Sequence, residues 1–154
     1  MSRQKEKGTR FETACVRYLR KRLEDERIDR AAMRGNRDAG DIHGLVAHGY
    51  LGIVECKDVV DVPKSRLDKY REQTIVERGN ADADFALLVI HTKGVGETRF
   101  GENDCHLQVR DLERVMGGEF RCLAGDSAKE MWIAANLETI CKFIMCETDK
   151  EEEE

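Results

Sequence analysis

The run Phe85-Ala86-Leu87-Leu88-Val89-Ile90 limits the fold more than any other stretch. It is short, wholly apolar and bounded by polar residues, the pattern of a strand buried on both faces. A central strand of this kind needs a layer of structure above it and another below.

Helical patterns on either side can supply those layers. Phe11, Ala14, Cys15, Tyr18, Leu19 and Leu23 recur on one helical face. The capping-box spacing of Thr9 and Glu12 starts this helix at Thr9 and leaves residues 1–8 as a frayed polar lead. Pro63 suits the first turn of a second helix, which Gly79-Asn80 ends near Arg78. Leu67, Tyr70, Thr74 and Glu77 lie along one side of it, with Gln73 beside them. Between the two helices, Ala31-Ala32-Met33 forms a short first strand, residues 41–46 a second and 51–57 a third, with a turn at 47–50. Residues 105–109 make a further strand and 112–116 a helical turn. A C-terminal helix runs from 127 or 128 to 145 and takes Trp132 into the core. The expectation is one α/β domain over residues 1–146, with helices packed on a mixed central sheet. Residues 147–154 form an acidic, disordered tail.

Charge is distributed unevenly. Charged residues make up 37% of the chain, and the formal net charge is −5. The tail from Glu147 holds six acids and one base, which accounts for the whole excess. The first 37 residues hold twelve Lys/Arg against six Asp/Glu, a cationic front of the kind that meets a phosphate backbone. The six cysteines show neither a CxxC pair nor zinc spacing. Without a signal-like segment or a membrane-length apolar run, the expectation is reduced thiols in a cytoplasmic protein.

The chemistry concentrates in Gly40-Asp41 and Glu55-Cys56-Lys57. Side chains alternate along a strand, so Glu55 and Lys57 share a face. A cross-strand ion pair is the plain reading. The catalytic reading is a magnesium site in which Asp41 and Glu55 give hard oxygen ligands and the Cys56 backbone carbonyl a third. Lys57 then orients the attacking water and stabilises developing negative charge. Asp38 is a rival carboxylate, but it lies in a cationic, glycine-bounded loop, whereas Asp41 opens an apolar strand. Arg10, Arg34 and Arg37 are candidate phosphate contacts. His43 is read as structural.

Together these residues resemble the motif of the PD-(D/E)XK nuclease superfamily, with Gly40 in the place of the proline. Lys7-Gly8-Thr9-Arg10-Phe11-Glu12 resembles the opening of its Holliday-junction resolvase branch, in the archaeal and phage-type forms. The resemblance covers roughly residues 5–92. It implies a restriction-endonuclease-like core, α-β-β-β-α-β, and dependence on Mg²⁺ or Mn²⁺. It also implies that Glu12 joins Asp41, Glu55 and Lys57 in the site and that Gln73 lies near the DNA. The implied protein is a homodimer that nicks branched double-stranded DNA in pairs at four-way junctions. A restriction-like or end-processing nuclease on the same fold is the alternative within enzymes, and a non-catalytic DNA-binding module the alternative outside them.

Overall fold

A computed structural model of the chain describes residues 2–32, 37–119 and 125–146. The elements run α1 (Arg3–Leu23), β1 (Asp29–Arg30), β2 (Ile42–Ala47), β3 (Tyr50–Lys57), α2 (Lys64–Asn80), β4 (Phe85–Ile90), β5 (Asp104–Gln108), α3 (Val109–Met116), β6 (Trp132–Asn136) and α4 (Leu137–Met145). Short 3-10 turns occupy Glu97–Glu102 and Asp126–Glu130. The protein is α/β, with one mixed sheet of six strands in sequence order. Among the described residues only the β3–β4 pair is parallel, and α2 makes its crossover. Among the described residues no helix is long and apolar enough to cross a membrane.

The pleat sorts the two faces. Val54 and Cys56 of β3, with Leu87 and Val89 of β4, join α1 and α4 in the main core, where Phe11, Cys15, Leu19, Leu137, Ile140 and Ile144 are buried. Ile53, Glu55, Leu88 and Ile90 alternate with them and face the other way, the side where α2 buries Thr74, Glu77 and Arg78. The Phe85–Ile90 strand is buried along its whole length, as its composition requires.

Several boundaries differ from those expected. Helix α1 begins six residues early, capped by Ser2, whose hydroxyl accepts from the Lys5 N–H at 3.3 Å. Gly8 does not interrupt it, and the basic residues 20–22 suit the negative end of its dipole. Thr9 is therefore interior to the helix, and Glu12 is no capping partner. The first strand is Asp29–Arg30, Ala31 and Ala32 lie beyond it, and Met33 falls outside the described residues. Helix α2 runs past Gly79 to Asn80, with Pro63 just outside it as N-cap.

The expected long C-terminal helix is three elements, the 3-10 turn Asp126–Glu130, a strand and a short helix. Residues 132–136 are a strand paired with β5, from Asp104↔Asn136 to Gln108↔Trp132. Helix α4 starts only after Asn136, whose side chain accepts from the Thr139 N–H at 2.8 Å. Trp132 and Ile133 fit the 3.6-residue period of the following helix by coincidence, and the capping signal of Asn136 marks the true start. Trp132 is half-buried on an edge strand, with the Arg71 guanidinium 5.3 Å from its ring centroid.

One irregularity positions Asp41. Ile42 pairs with Val54, yet Leu45 pairs with Gly52, so β2 carries one extra residue in a bulge. Carried back without the bulge, the Leu45↔Gly52 register would set Asp41 against Cys56. With it, Asp41 falls opposite Glu55, because a one-residue slip exchanges faces. Gly44 sits in the bulge at φ +84°, and a Cβ there would lie 2.2 Å from the Arg27 carbonyl oxygen. Gly49 has the same φ of +84° with open space around it. Gly44→Ala should therefore cost more than Gly49→Ala, with the left-handed strain of about 1–3 kcal/mol common to both and the clash added only at Gly44. Urea midpoints measure the difference; equal losses would mean that the Arg27 contact does not hold the bulge.

Candidate active site

The site builds outward from β3, which is hydrogen-bonded on both edges. Glu55 is 3% exposed, and its Oε1 lies 2.6 Å from the Lys57 ammonium. Lys57 also lies 5.2 Å from the centroid of the Tyr70 ring on α2. Asp41 is held from three directions. Its N–H donates to the Val54 carbonyl at 3.0 Å and its carbonyl accepts from the Ala31 N–H at 2.8 Å. Its Oδ2 accepts from the Cys56 N–H at 2.8 Å. Cys56 turns its thiol into the main core, where a hydrogen bond with Cys15, then burial, holds it protonated. Only the backbone of Cys56 therefore belongs to the site.

The carboxyls are unusual in their ionisation. Burial, followed by the charge of Glu55, raises Asp41 from 3.8 to about 7, against the opposing Cys56 N–H. Burial, followed by a hydrogen bond to Glu77, raises Glu55 from 4.5 to about 8, although Lys57 opposes it. Burial works against the Lys57 ammonium as well, but Glu55, Asp41 and Glu77 outweigh it and hold its pKa above the ordinary value.

Glu77 is the residue that sequence reasoning missed. It is 1% exposed on α2 and faces Glu55, and its own pKa is raised, first by burial. The Gln73 amide donates to Glu77 Oε1 at 2.7 Å. Two ionised carboxylates can only accept, and Oε2 of both Glu55 and Glu77 has no hydrogen-bond donor among the described residues. A shared proton relieves this mismatch, and so does a hard cation. The signal was present in the sequence: Glu77 follows Tyr70 and Thr74 along the buried side of its helix.

Glu12 lies on α1, close enough for its charge to raise Asp41. It bonds to Arg30, with Nε at 2.9 Å and Nη2 at 2.8 Å. Asp38 turns its Oδ1 back to the Gly40 N–H at 3.3 Å, and His43 Nε2 meets the Ala39 carbonyl at 2.7 Å. Both organise the loop that leads into β2. Gln73 is engaged with Glu77 in this arrangement. Arg10 and Arg37 are exposed, and Arg34 lies outside the described residues.

Among the described residues no three carboxylate, imidazole or thiolate groups are already gathered as a metal chelate. The donor set nevertheless suits a hard cation, because buried Glu55 and half-buried Asp41 have little positive charge beside them among the described residues. Glu12 would join them on leaving Arg30. No protein family, curated protein or solved structure matches this chain significantly.

These ionisations carry a sign. A carboxyl whose folded pKa is raised adds stability that is complete below its unfolded value and is lost as pH climbs through the folded one. For Asp41 that interval is 3.8 to about 7, and for Glu55 it is 4.5 to about 8. Metal-free protein should thus lose stability between pH 4 and pH 8. Glu55→Gln should flatten the loss and raise Tm near pH 8, where each 1 kcal/mol is worth about 2–4 °C for a chain of this size. Calorimetry across this range checks both; a wild-type profile that rises with pH would refute the buried-carboxyl account.

Proposed function

We propose that this protein is a metal-dependent DNA endonuclease with a PD-(D/E)XK-type site on a restriction-endonuclease-like core, acting on branched double-stranded DNA. The observation that carries the reading is the carboxyl pair of half-buried Asp41, just before β2, and buried Glu55 on β3, with Lys57 as the one cation that meets Glu55 among the described residues. The order helix, three strands, helix, strand supports the core assignment. The resolvase branch and the four-way junction rest on the sequence resemblance around Glu12.

Glu12, Asp41, Glu55 and the Cys56 carbonyl would hold Mg²⁺, or Mn²⁺ in its place. The bound ion supplies charge neutralisation at the phosphate and a more acidic water. The protein's own part follows from its geometry. Asp41 is oriented by the Cys56 N–H, which fixes the direction of its carboxyl. Glu55 is anchored to Lys57, which keeps its ammonium protonated beside the reacting phosphate and offers donors to the incoming water or the phosphoryl oxygens. Gln73 steadies Glu77, and Glu77 in turn faces Glu55. Arg10 and Arg37, with Arg34 in the same basic front, would meet the flanking phosphates. A homodimer would place two such sites for paired nicks.

The ion pair between Glu12 and Arg30 is the one observation that favours a DNA-binding module without cleavage. A cleavage panel with Mg²⁺ decides: four-way junction, fork, flap, linear duplex and single strand. Cleavage of the junction in preference to linear duplex is expected. Lys57→Ala should reduce it by at least about 100-fold, the scale of one lost charge-stabilising group, while binding in Ca²⁺ persists. No cleavage of any DNA would leave the binding module, and undiminished cleavage by Lys57→Ala would remove the site assignment. Junction affinity should fall steeply with salt through the arginine contacts. Light scattering should give twice the 17.6 kDa chain mass.

A further inference from the structure

On the α1 side of the same sheet end lies a half-open cavity of about 200 Å³ that the proposed cleavage chemistry does not use. Phe11, His91 and Phe100 supply aromatic walls, with ring centroids of Phe11 5.4 Å from His91 and 5.0 Å from Phe100. Lys7 and Arg10 stand at its border. Lys7 reaches Asp58 at 3.7 Å, whereas Arg10 has no ion-pair partner among the described residues. The cavity adjoins the site through the backbone. Asp58, in its wall, follows Lys57 directly, and the His91 N–H donates to the Lys57 carbonyl at 3.0 Å. His91 is itself fixed, by Asp58 at 2.7 Å and the Val95 carbonyl at 2.8 Å.

We infer that this cavity receives one unpaired nucleobase of the DNA strand whose phosphates lie on Lys7 and Arg10. The inference rests on the nucleic-acid reading of the neighbouring site. The volume is below the roughly 300–1,000 Å³ of pockets that enclose a drug-sized molecule, yet it admits a single planar ring system. Aromatic walls bind any base by its π-face, without reading its sequence. A cationic border beside an apolar interior matches the two halves of a nucleotide. A base inside a duplex reaches such a cavity only by unpairing, a cost that is least where pairing is already broken. The cavity therefore favours DNA with an unpaired position beside the cut.

Gly96 lines the cavity and has extended backbone, and a Cβ there would meet nothing within 4 Å beyond its chain neighbours, so Gly96→Leu adds bulk at the cavity wall with its first side-chain atom in open space. The test uses the full chain in Ca²⁺, which does not require cutting, and branched DNA carrying one unpaired thymine. Wild-type protein is expected to protect that thymine from permanganate. Gly96→Leu should lose the protection and weaken binding to this DNA by about 5- to 100-fold, the range of one base–aromatic stack, with duplex affinity unchanged. Protection that survives in Gly96→Leu, or a reactive thymine in bound wild-type complex, overturns the inference. Binding of thymidine 5′-monophosphate as tight as that of the strand overturns it in favour of a free nucleotide. The two readings fail separately. Protection without cleavage in Mg²⁺ removes the nuclease alone, cleavage with a reactive thymine removes the base pocket alone, and absence of all DNA binding removes both.

Discussion

Strand β3 is the constraint on which the candidate site depends. Neighbours hold both of its edges, and Gly52–Cys56 are buried between the layers, so Glu55 cannot swing into solvent without breaking the sheet. Glu55 and Lys57 are therefore fixed by backbone pairing rather than by their attraction to each other. Isolated carboxylates avoid such surroundings because desolvation costs more than one nearby ammonium returns. Here Asp41, Glu55 and Glu77 all act on the ammonium of Lys57, and burial drives the pKa values of the three carboxyls upward.

This arrangement opposes folding and favours binding of positive charge. The oxygens of Glu55 and Glu77 that lack donors add to the imbalance. Core residues elsewhere follow the ordinary rule, with Leu19, Leu45, Leu87 and Leu107 wholly buried among apolar neighbours. The exception gathers where the end of β3 meets α2, although Arg71 Nε and Glu113 Oε1 also lack a hydrogen-bond partner among the described residues. A stability cost concentrated in this way is characteristic of functional sites, where selection keeps groups that packing alone would remove. The other buried polar cluster has its partners: Arg78 donates to Asp111 at 2.8 and 2.9 Å and to Gln108 at 3.1 Å. That cluster ties α2 to α3 and keeps Glu77, the preceding residue, facing Glu55.

Much of the fold was legible because local patterns and packing agree. The uniform apolarity of Phe85–Ile90 and the helical stripe of α1 each state their own burial. The extent of α1 and the Trp132–Asn136 strand were harder to read. Gly8 looks like an interruption until Ser2 provides the cap, and Trp132 with Ile133 fits the period of α4. Only pairing with β5 makes the segment a strand. Among the candidate site residues, Asp41, Glu55 and Lys57 stood out as charges on apolar strands. Glu77 did not, because a glutamate on a charged helix looks solvated until the helix is docked.

By itself the sequence determined which residues share a strand face, that the central strand must be covered on both sides, and that Glu55 and Lys57 point together. These follow from the two-residue period of a strand and need no knowledge of distant neighbours. Only the tertiary structure decided that Asp41 faces Glu55 rather than Cys56, that Glu12 turns toward Arg30, and that Glu77 closes the site from α2. The physical reason lies in the bulge at Gly44, the crossover between β3 and β4, and the docking of α1. Each brings together residues far apart in the chain, and no local period records such contacts.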